Sequence, residues 1–239
     1  MEKSIILLLK RTGLTLIFLI VVTGWVVNAQ IVITTPYEFA VGFSGGTTLS
    51  SVGFTPSVPQ KSLTGFTAGL TGRINMGKSV GLQLELNYAQ QGWKENFDDL
   101  EDENGVAGTF SHYQYSRLLN YIQLPLYTRI RFGGKKVVSF IHLGPQIGYM
   151  IGESTKENLN GAQPGRVNAQ HEMPVQKRFE WGLSGGGGIE IRTGIGYFIL
   201  EGRYLYSLGD IYKTRREDFF SKASGQTITI KLSYLMPIK

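Results

Sequence analysis

From Val80 to Ala89 the chain alternates strictly, with Val80, Leu82, Leu84, Leu86 and Tyr88 on one register and Gly81, Gln83, Glu85, Asn87 and Ala89 on the other. Successive side chains of a strand point to opposite faces, so this segment has one apolar and one polar face. The same two-residue period returns in Ile122, Leu124, Leu126, Thr128, Ile130 and Phe132, and in Ile228, Ile230, Leu232 and Tyr234. A chain built this way must bury or cover a long apolar sheet face.

Eight segments read as strands, approximately 37–48, 64–75, 79–93, 117–132, 137–152, 177–193, 196–209 and 225–237. Most are longer than the ~5–6 residues typical of globular strands and reach the ~9–11 residues of a tilted strand crossing a bilayer. Their connections alternate. Met76-Gly77-Lys78, Gly133 to Lys136 and Gly194-Ile195 are tight, whereas 49–63, 94–116, 153–176 and 210–224 are long. Short turns at one end and long loops at the other distinguish an outer-membrane barrel from a soluble sandwich. The expected fold is all-β, an eight-stranded antiparallel up-and-down transmembrane β-barrel with short periplasmic turns and long extracellular loops.

In such a barrel the apolar register meets lipid and the polar one fills the lumen. The residues expected inside are Arg73, Gln83, Glu85, Gln123, Arg129, Arg131, His142, Gln146, Glu180, Glu190, Arg192, Glu201, Arg203 and Lys231. Acids and bases are mixed among them, which predicts ion pairs plugging a lumen just wide enough for its own side chains rather than an open pore. Tyr37, Phe66, Tyr88, Trp93, Tyr121, Tyr149, Phe179, Trp181, Tyr206 and Tyr234 lie near strand ends and are expected in aromatic girdles at the two membrane interfaces. The competing fold, a soluble sandwich or lipocalin-like binder, turns the faces over and puts Glu85, Arg129 and Arg203 in water.

The N-terminus has its own pattern. Lys3, Lys10 and Arg11 precede an apolar run, Leu14 to Val27, that ends in the small-residue site Val27-Asn28-Ala29. The strictly apolar stretch Leu14–Val22 is shorter than the ~20 residues of a spanning helix, so residues 1–29 read as a cleaved signal peptide and 30–239 as the barrel domain. Cleavage removes three bases and one acid, lowering the net charge from +6 to +4. The bases are scattered among alternating apolar residues, which argues against a nucleic-acid partner. The absence of cysteine excludes disulfides, thiolate metal sites, a cysteine nucleophile and a lipidated N-terminal cysteine.

Four stretches together resemble PorT-like outer-membrane β-barrel proteins of Bacteroidetes: the Ala29-Gln30 junction, Asn120-Tyr121-Ile122-Gln123-Leu124-Pro125-Leu126, Leu143-Gly144-Pro145-Gln146-Ile147-Gly148-Tyr149, and Trp181-Gly182-Leu183 through Gly188-Ile189-Glu190. The resemblance spans nearly the whole mature chain and implies a barrel exported to the outer membrane. The member that gives the family its name is similar to a component needed for type IX secretion, so an accessory role in that secretion is a second reading.

Chemical motifs are sparse. Gly185 to Gly188 lacks the Gly-Lys-Ser/Thr continuation of a phosphate loop and reads as strand glycines making room for large lumenal neighbours. Glu95, Asp98, Asp99, Glu101, Asp102, Glu103 and Asn104 are oxygen-rich enough to attract a hard cation such as Ca²⁺, but their spacing is not that of an EF-hand, and a solvated acidic loop is the expectation. Ser111-His112 and His171 fall in loops without a nucleophile turn, so no catalytic residue, cofactor or enzyme activity is expected. Phe219 and Phe220, beside Lys213, Arg215 and Arg216, form a candidate loop contact. The first reading is therefore a structural or partner-binding envelope protein that displays external loops. Its expected partners are outer-membrane lipid, lipopolysaccharide and an envelope protein; a barrel enzyme is a further alternative.

Overall fold

The computed structural model describes residues 37–97, 113–158, 174–213 and 221–238. Within them the strands are β1 (Tyr37–Thr55), β2 (Gln60–Lys61), β3 (Leu63–Met76), β4 (Val80–Glu95), β5 (Gln114–Gly133), β6 (Val137–Asn158), β7 (Phe179–Thr193), β8 (Gly196–Asp210) and β9 (Lys222–Ile238). Eight of them pair antiparallel with their chain neighbours, and β1 pairs β9 from Phe39↔Ile238 to Thr55↔Lys222, closing the ring. The two-residue β2 only lengthens the ladder beside β4, through Gln60↔Glu95 and Lys61↔Lys94. Closure satisfies the backbone without leaving an edge, as a hydrocarbon environment requires.

The faces divide as the alternation predicts. Along β4 the exposed side chains Val80, Leu82, Leu84 and Leu86 look outward, while Gln83, Glu85 and Asn87 are buried inside. On β5, Ile122, Leu124, Leu126, Ile130 and Phe132 are outside and Gln123, Tyr127, Arg129 and Arg131 inside. Because the buried register includes Glu85, Arg129 and Arg203, the lipocalin-like arrangement is excluded.

The three tight turns fall where expected, at Gly77–Ser79, Gly134–Lys136 and Gly194-Ile195. The strands run further into the long-loop end than the sequence reading placed them. β1 continues to Thr55 rather than ending near 48, β5 begins at Gln114, and β6 reaches Asn158. The first connection is consequently short, with most of 49–63 in strand. Geometry accounts for the excess: the 20 residues of β5 span roughly 65 Å at ~3.3 Å each, or about 50 Å along the membrane normal at ~40° tilt, against a hydrocarbon core of ~30 Å.

Past the apolar band the polarity of the wall inverts. On β5 the outward positions become Asn120, Ser116 and Gln114, Leu118 excepted, and the inward ones Tyr121, Leu119 and Tyr115, with Arg117 among them. On β6 the outward series Ile147, Tyr149 and Ile151 ends at a bulge opposite Asn120 and Tyr121, beyond which Ser154, Lys156 and Asn158 pair with the outward Leu118, Ser116 and Gln114. Beyond the lipid, water replaces hydrocarbon outside, so the apolar face belongs inside, as in an ordinary soluble sheet.

Candidate functional site

The lumen is organised in layers. At the turn end, Ala40, Phe140, Ile199 and Leu235 make a small apolar floor with Tyr197 against it. Glu190 of β7 sits in the same region, its Oε2 accepting from Arg73 Nη1 at 2.7 Å and Arg129 Nη1 at 2.8 Å and its Oε1 from Arg192 Nε at 2.7 Å. Arg131 donates instead to the carbonyl of Gly77, at 2.8 Å. Arg129 also stacks over Phe140, 3.5 Å from the ring centroid.

The middle layer ties opposite walls. Glu85 receives both terminal nitrogens of Arg203, each at 2.9 Å, and Lys231 Nζ at 2.7 Å. Gln83 and Asn87 donate to the same carboxylate, and Arg203 also donates to Glu201 and to the Tyr127 hydroxyl. His142 stacks on Tyr127 with centroids 4.5 Å apart and lies 3.8 Å from Glu201. Two acids and two bases thus balance within one layer, the arrangement that makes burial of charge tolerable. Above it Glu180 accepts from Ser207 at 2.6 Å and Gln123 at 3.3 Å. The remaining polar cavity between these groups is about 10 Å³, about the space of one water molecule.

The loop end is sealed by apolar packing. Val52, Phe54, Trp93, Tyr115, Leu119, Tyr121, Met150 and Tyr212 belong to one buried cluster. Phe54 meets Trp93 edge to face at 5.3 Å, and Arg117 bridges the rim by donating to the Tyr212 hydroxyl at 3.2 Å and to Glu153 at 2.8 Å. Burial pushes the Tyr212 phenol up to about 12, although the neighbouring Arg117 charge pulls it back.

The structure places Arg73, Glu85, Arg129, Arg131, Glu190, Glu201, Arg203 and Lys231 in the lumen, buried, with Arg192 half-buried at the turn mouth. It divides them between two layers, Arg73, Arg129, Arg131, Glu190 and Arg192 below and Glu85, Glu201, Arg203 and Lys231 above. Of the ten expected girdle aromatics, Tyr37, Phe66, Tyr149, Phe179 and Trp181 are exposed on the outer wall and Tyr88, Tyr206 and Tyr234 face out half-buried. Trp93 and Tyr121 do not join them; both are buried in the seal. Their register shares parity with Gln83 and Glu85 on β4 and with Gln123 and Arg129 on β5, which was the available signal.

Gly186 and Gly188 make room for neighbours: a Cβ on the first would meet Arg203 Cα at 2.7 Å, and one on the second would meet Phe140 Cζ at 2.9 Å. Phe219, Phe220, His112 and His171 lie outside the described residues, as does the acidic segment after Phe97. Among the described residues no group of three or more His, Asp or Glu is placed to hold a metal ion.

The solved structures similar to this one include the attachment invasion locus protein Ail of Yersinia pestis in complex with the heparin analogue sucrose octasulfate, at 15% identity and a TM-score of 0.40 over 83% of this chain and 99% of that one. Neisserial surface protein A is 11% identical with a TM-score of 0.42 over 83% and 98%. The N-terminal barrel domain of Pseudomonas aeruginosa OprF is 8% identical with a TM-score of 0.39 over 84% and 98%. No curated protein matches the sequence. Residues 28–213 match the family described as outer membrane protein beta-barrel domain, and the chain belongs to that family.

Proposed function

We propose that this protein is a closed, non-conducting barrel that holds its extracellular loops on a raised rim for contact with an envelope partner. The observation that carries the reading is the continuous filling of the lumen, from the Glu190 arginines through the Glu85–Arg203 layer to the Phe54–Trp93 seal. An interior filled in this way by the described residues blocks solute diffusion. The ladder of β1, β5 and β6 beyond the apolar band supports the rim. Lipid contacts the outer wall, lipopolysaccharide the rim, and an envelope protein the loops, where Phe219 and Phe220 are the proposed contact. The lumenal acids and bases act as structural ties rather than catalysts.

Residues 1–29 serve as the cleaved export signal in this reading, which the mass of the mature protein checks. Two experiments test the rest. In planar bilayers the purified barrel gives no discrete conductance steps, and stable steps at ordinary salt overturn the closed lumen. Photo-crosslinkers placed at positions 213, 219 and 220 in cells yield a defined protein adduct; adducts with lipid alone overturn partner binding. The narrower likeness to PorT-like proteins, carried by the Asn120–Leu126 and Leu143–Tyr149 stretches, supports the secretion reading, in which the adduct belongs to a large complex that co-purifies with the barrel.

A further inference from the structure

The four arginines at the turn end carry more donors than their acceptors use. Arg73, Arg129 and Arg192 converge on one carboxylate, Glu190, and use both its oxygens, while Arg131 donates to the Gly77 carbonyl. Arg73 Nε and Nη2, Arg129 Nε and Nη2, Arg131 Nε and Arg192 Nη2 are buried without a hydrogen-bond partner. The side chains of Arg73 and Arg129 are 0% exposed. Glu38, on the neighbouring β1, already accepts from Asn75 at 3.2 Å and from the Tyr197 hydroxyl. Glu201 above is held by Arg203. Four positive charges thus face two negative ones in a layer that excludes most water. An unmatched guanidinium donor in such surroundings is costly, and the cheapest remedy is an acceptor that is itself anionic.

A second observation lies outside the lumen. The three turns that rim this mouth contain Lys78, Lys135 and Lys136, all exposed, and no acid. Arg192, whose side chain is 24% exposed, connects that rim to the buried arginines. A basic rim over a low-dielectric mouth concentrates anions at the entrance.

We propose that the turn-end mouth binds a phosphate-class oxyanion, held by Arg131 and Arg192 with Arg73 and Arg129 adding positive charge from the filled layer beneath, and gathered by the lysine rim. Planar guanidinium groups match tetrahedral oxyanions with paired N–H donors, which lysines on the rim cannot do. The phosphate comes either from solution or from the headgroup of an anionic phospholipid in the adjoining leaflet; the chemistry of recognition is the same.

The test uses the full-length mature barrel in a maltoside detergent, which contains no phosphate, with inorganic phosphate titrated and followed by phosphorus NMR line broadening. Saturable broadening is expected, with Arg131→Gln and Arg192→Gln each binding about tenfold more weakly, the scale of one charge-assisted hydrogen bond. Both residues sit nearer the mouth than Arg73 and Arg129, and retention of the compact band on an unheated gel verifies that each variant folds. Lys156→Gln, at the opposite end on β6, binds as the wild type does. Repeating the titration in nanodiscs containing phosphatidylglycerol separates the sources: unchanged phosphate binding assigns a soluble ligand, and competitive loss with a retained lipid in native mass spectrometry assigns a headgroup. Broadening that does not saturate, or that the two arginine variants leave unaltered, overturns the site and leaves the donors to water.

Discussion

Arg203 of β8 reaches Glu85 of β4 with two parallel hydrogen bonds of 2.9 Å, joining strands that lie diametrically across the ring. Arg73 of β3 and Glu190 of β7 make the same kind of diameter one layer lower, at 2.7 Å. Each tie replaces the apolar interdigitation that would fill a soluble barrel. Their value lies less in net attraction than in the penalty for losing one end.

Removing that one end gives the first prediction. Arg203→Met leaves Glu85 with Lys231 alone and strips Glu201 of its cation, so the barrel loses about 3–5 kcal/mol. The measurement is the urea midpoint of conversion from the compact to the extended gel band. Adding Glu201→Leu to Arg203→Met restores part of the loss, because the orphaned Glu201 carboxylate goes with it while Glu85 keeps its pair with Lys231. A double variant less stable than the single one overturns the account.

The outer and inner registers were legible in the sequence because lipid imposes one rule along each strand, and the residues at the Glu85 and Glu190 layers could be named from it. The polarity inversion was harder to see. Position near strand ends points Trp93 and Tyr121 outward, yet the parity that places Gln83 and Gln123 inside places them inside too. Aromatic type suggested a girdle, and parity was the stronger constraint. The same inversion concealed the outer ends of β1, β5 and β6: where outward positions turn polar, as at Ser154 and Lys156, a strand reads as loop. Which base meets which acid was not legible, since pairing across a ring depends on register between strands distant in sequence.

Lipid exposure of the outer wall predicts an asymmetry between adjacent positions. Leu84 lies on the outside of β4, paired with Leu126 and Gly72 in the apolar band. Leu84→Arg puts a charge in hydrocarbon at a cost of about 2–4 kcal/mol. Gln90→Arg, six residues on and facing out above the band, costs about 0–1 kcal/mol. Refolding into lipid vesicles at increasing urea reads both, and equal effects are incompatible with the assigned band.

Two glycines that the strand register places close together should respond differently to one methyl group. A Cβ on Gly186 falls 2.1 Å from the Gly202 carbonyl oxygen and 2.9 Å from Arg203 Cβ, so Gly186→Ala pushes the β7–β8 ladder apart and displaces Arg203 from Glu85. A Cβ on Gly202 meets nothing within 4 Å. The expected loss for Gly186→Ala is about 1–3 kcal/mol by overpacking, whereas Gly202→Ala is neutral or slightly stabilising through the unfolded chain. The compact-band midpoint distinguishes them, and tolerance of Gly186→Ala removes the argument that glycine there makes space for Arg203.

The seal at the loop end should be sensitive to base. Burial raises the Tyr212 phenol from 10.0 to about 12, so the folded barrel holds that proton at pH values where an unfolded chain releases it. With more protons bound in the folded state, stability falls as pH rises: the contribution is complete below pH 10.0 and is lost on approach to about 12. The loss should be local, because Tyr212 packs with Phe54 and accepts from Arg117 at the rim, far from the Glu85 layer. Tyrosinate absorbance followed against pH, with Trp93 fluorescence as a reporter of the seal, tests this. The wild type shows one more late-titrating phenol than Tyr212→Phe, with a change in Trp93 emission that the variant lacks while keeping its compact gel band. A Tyr212 that titrates with the exposed tyrosines shows that the rim is open to water, and the filled-lumen reading then fails at its outer end.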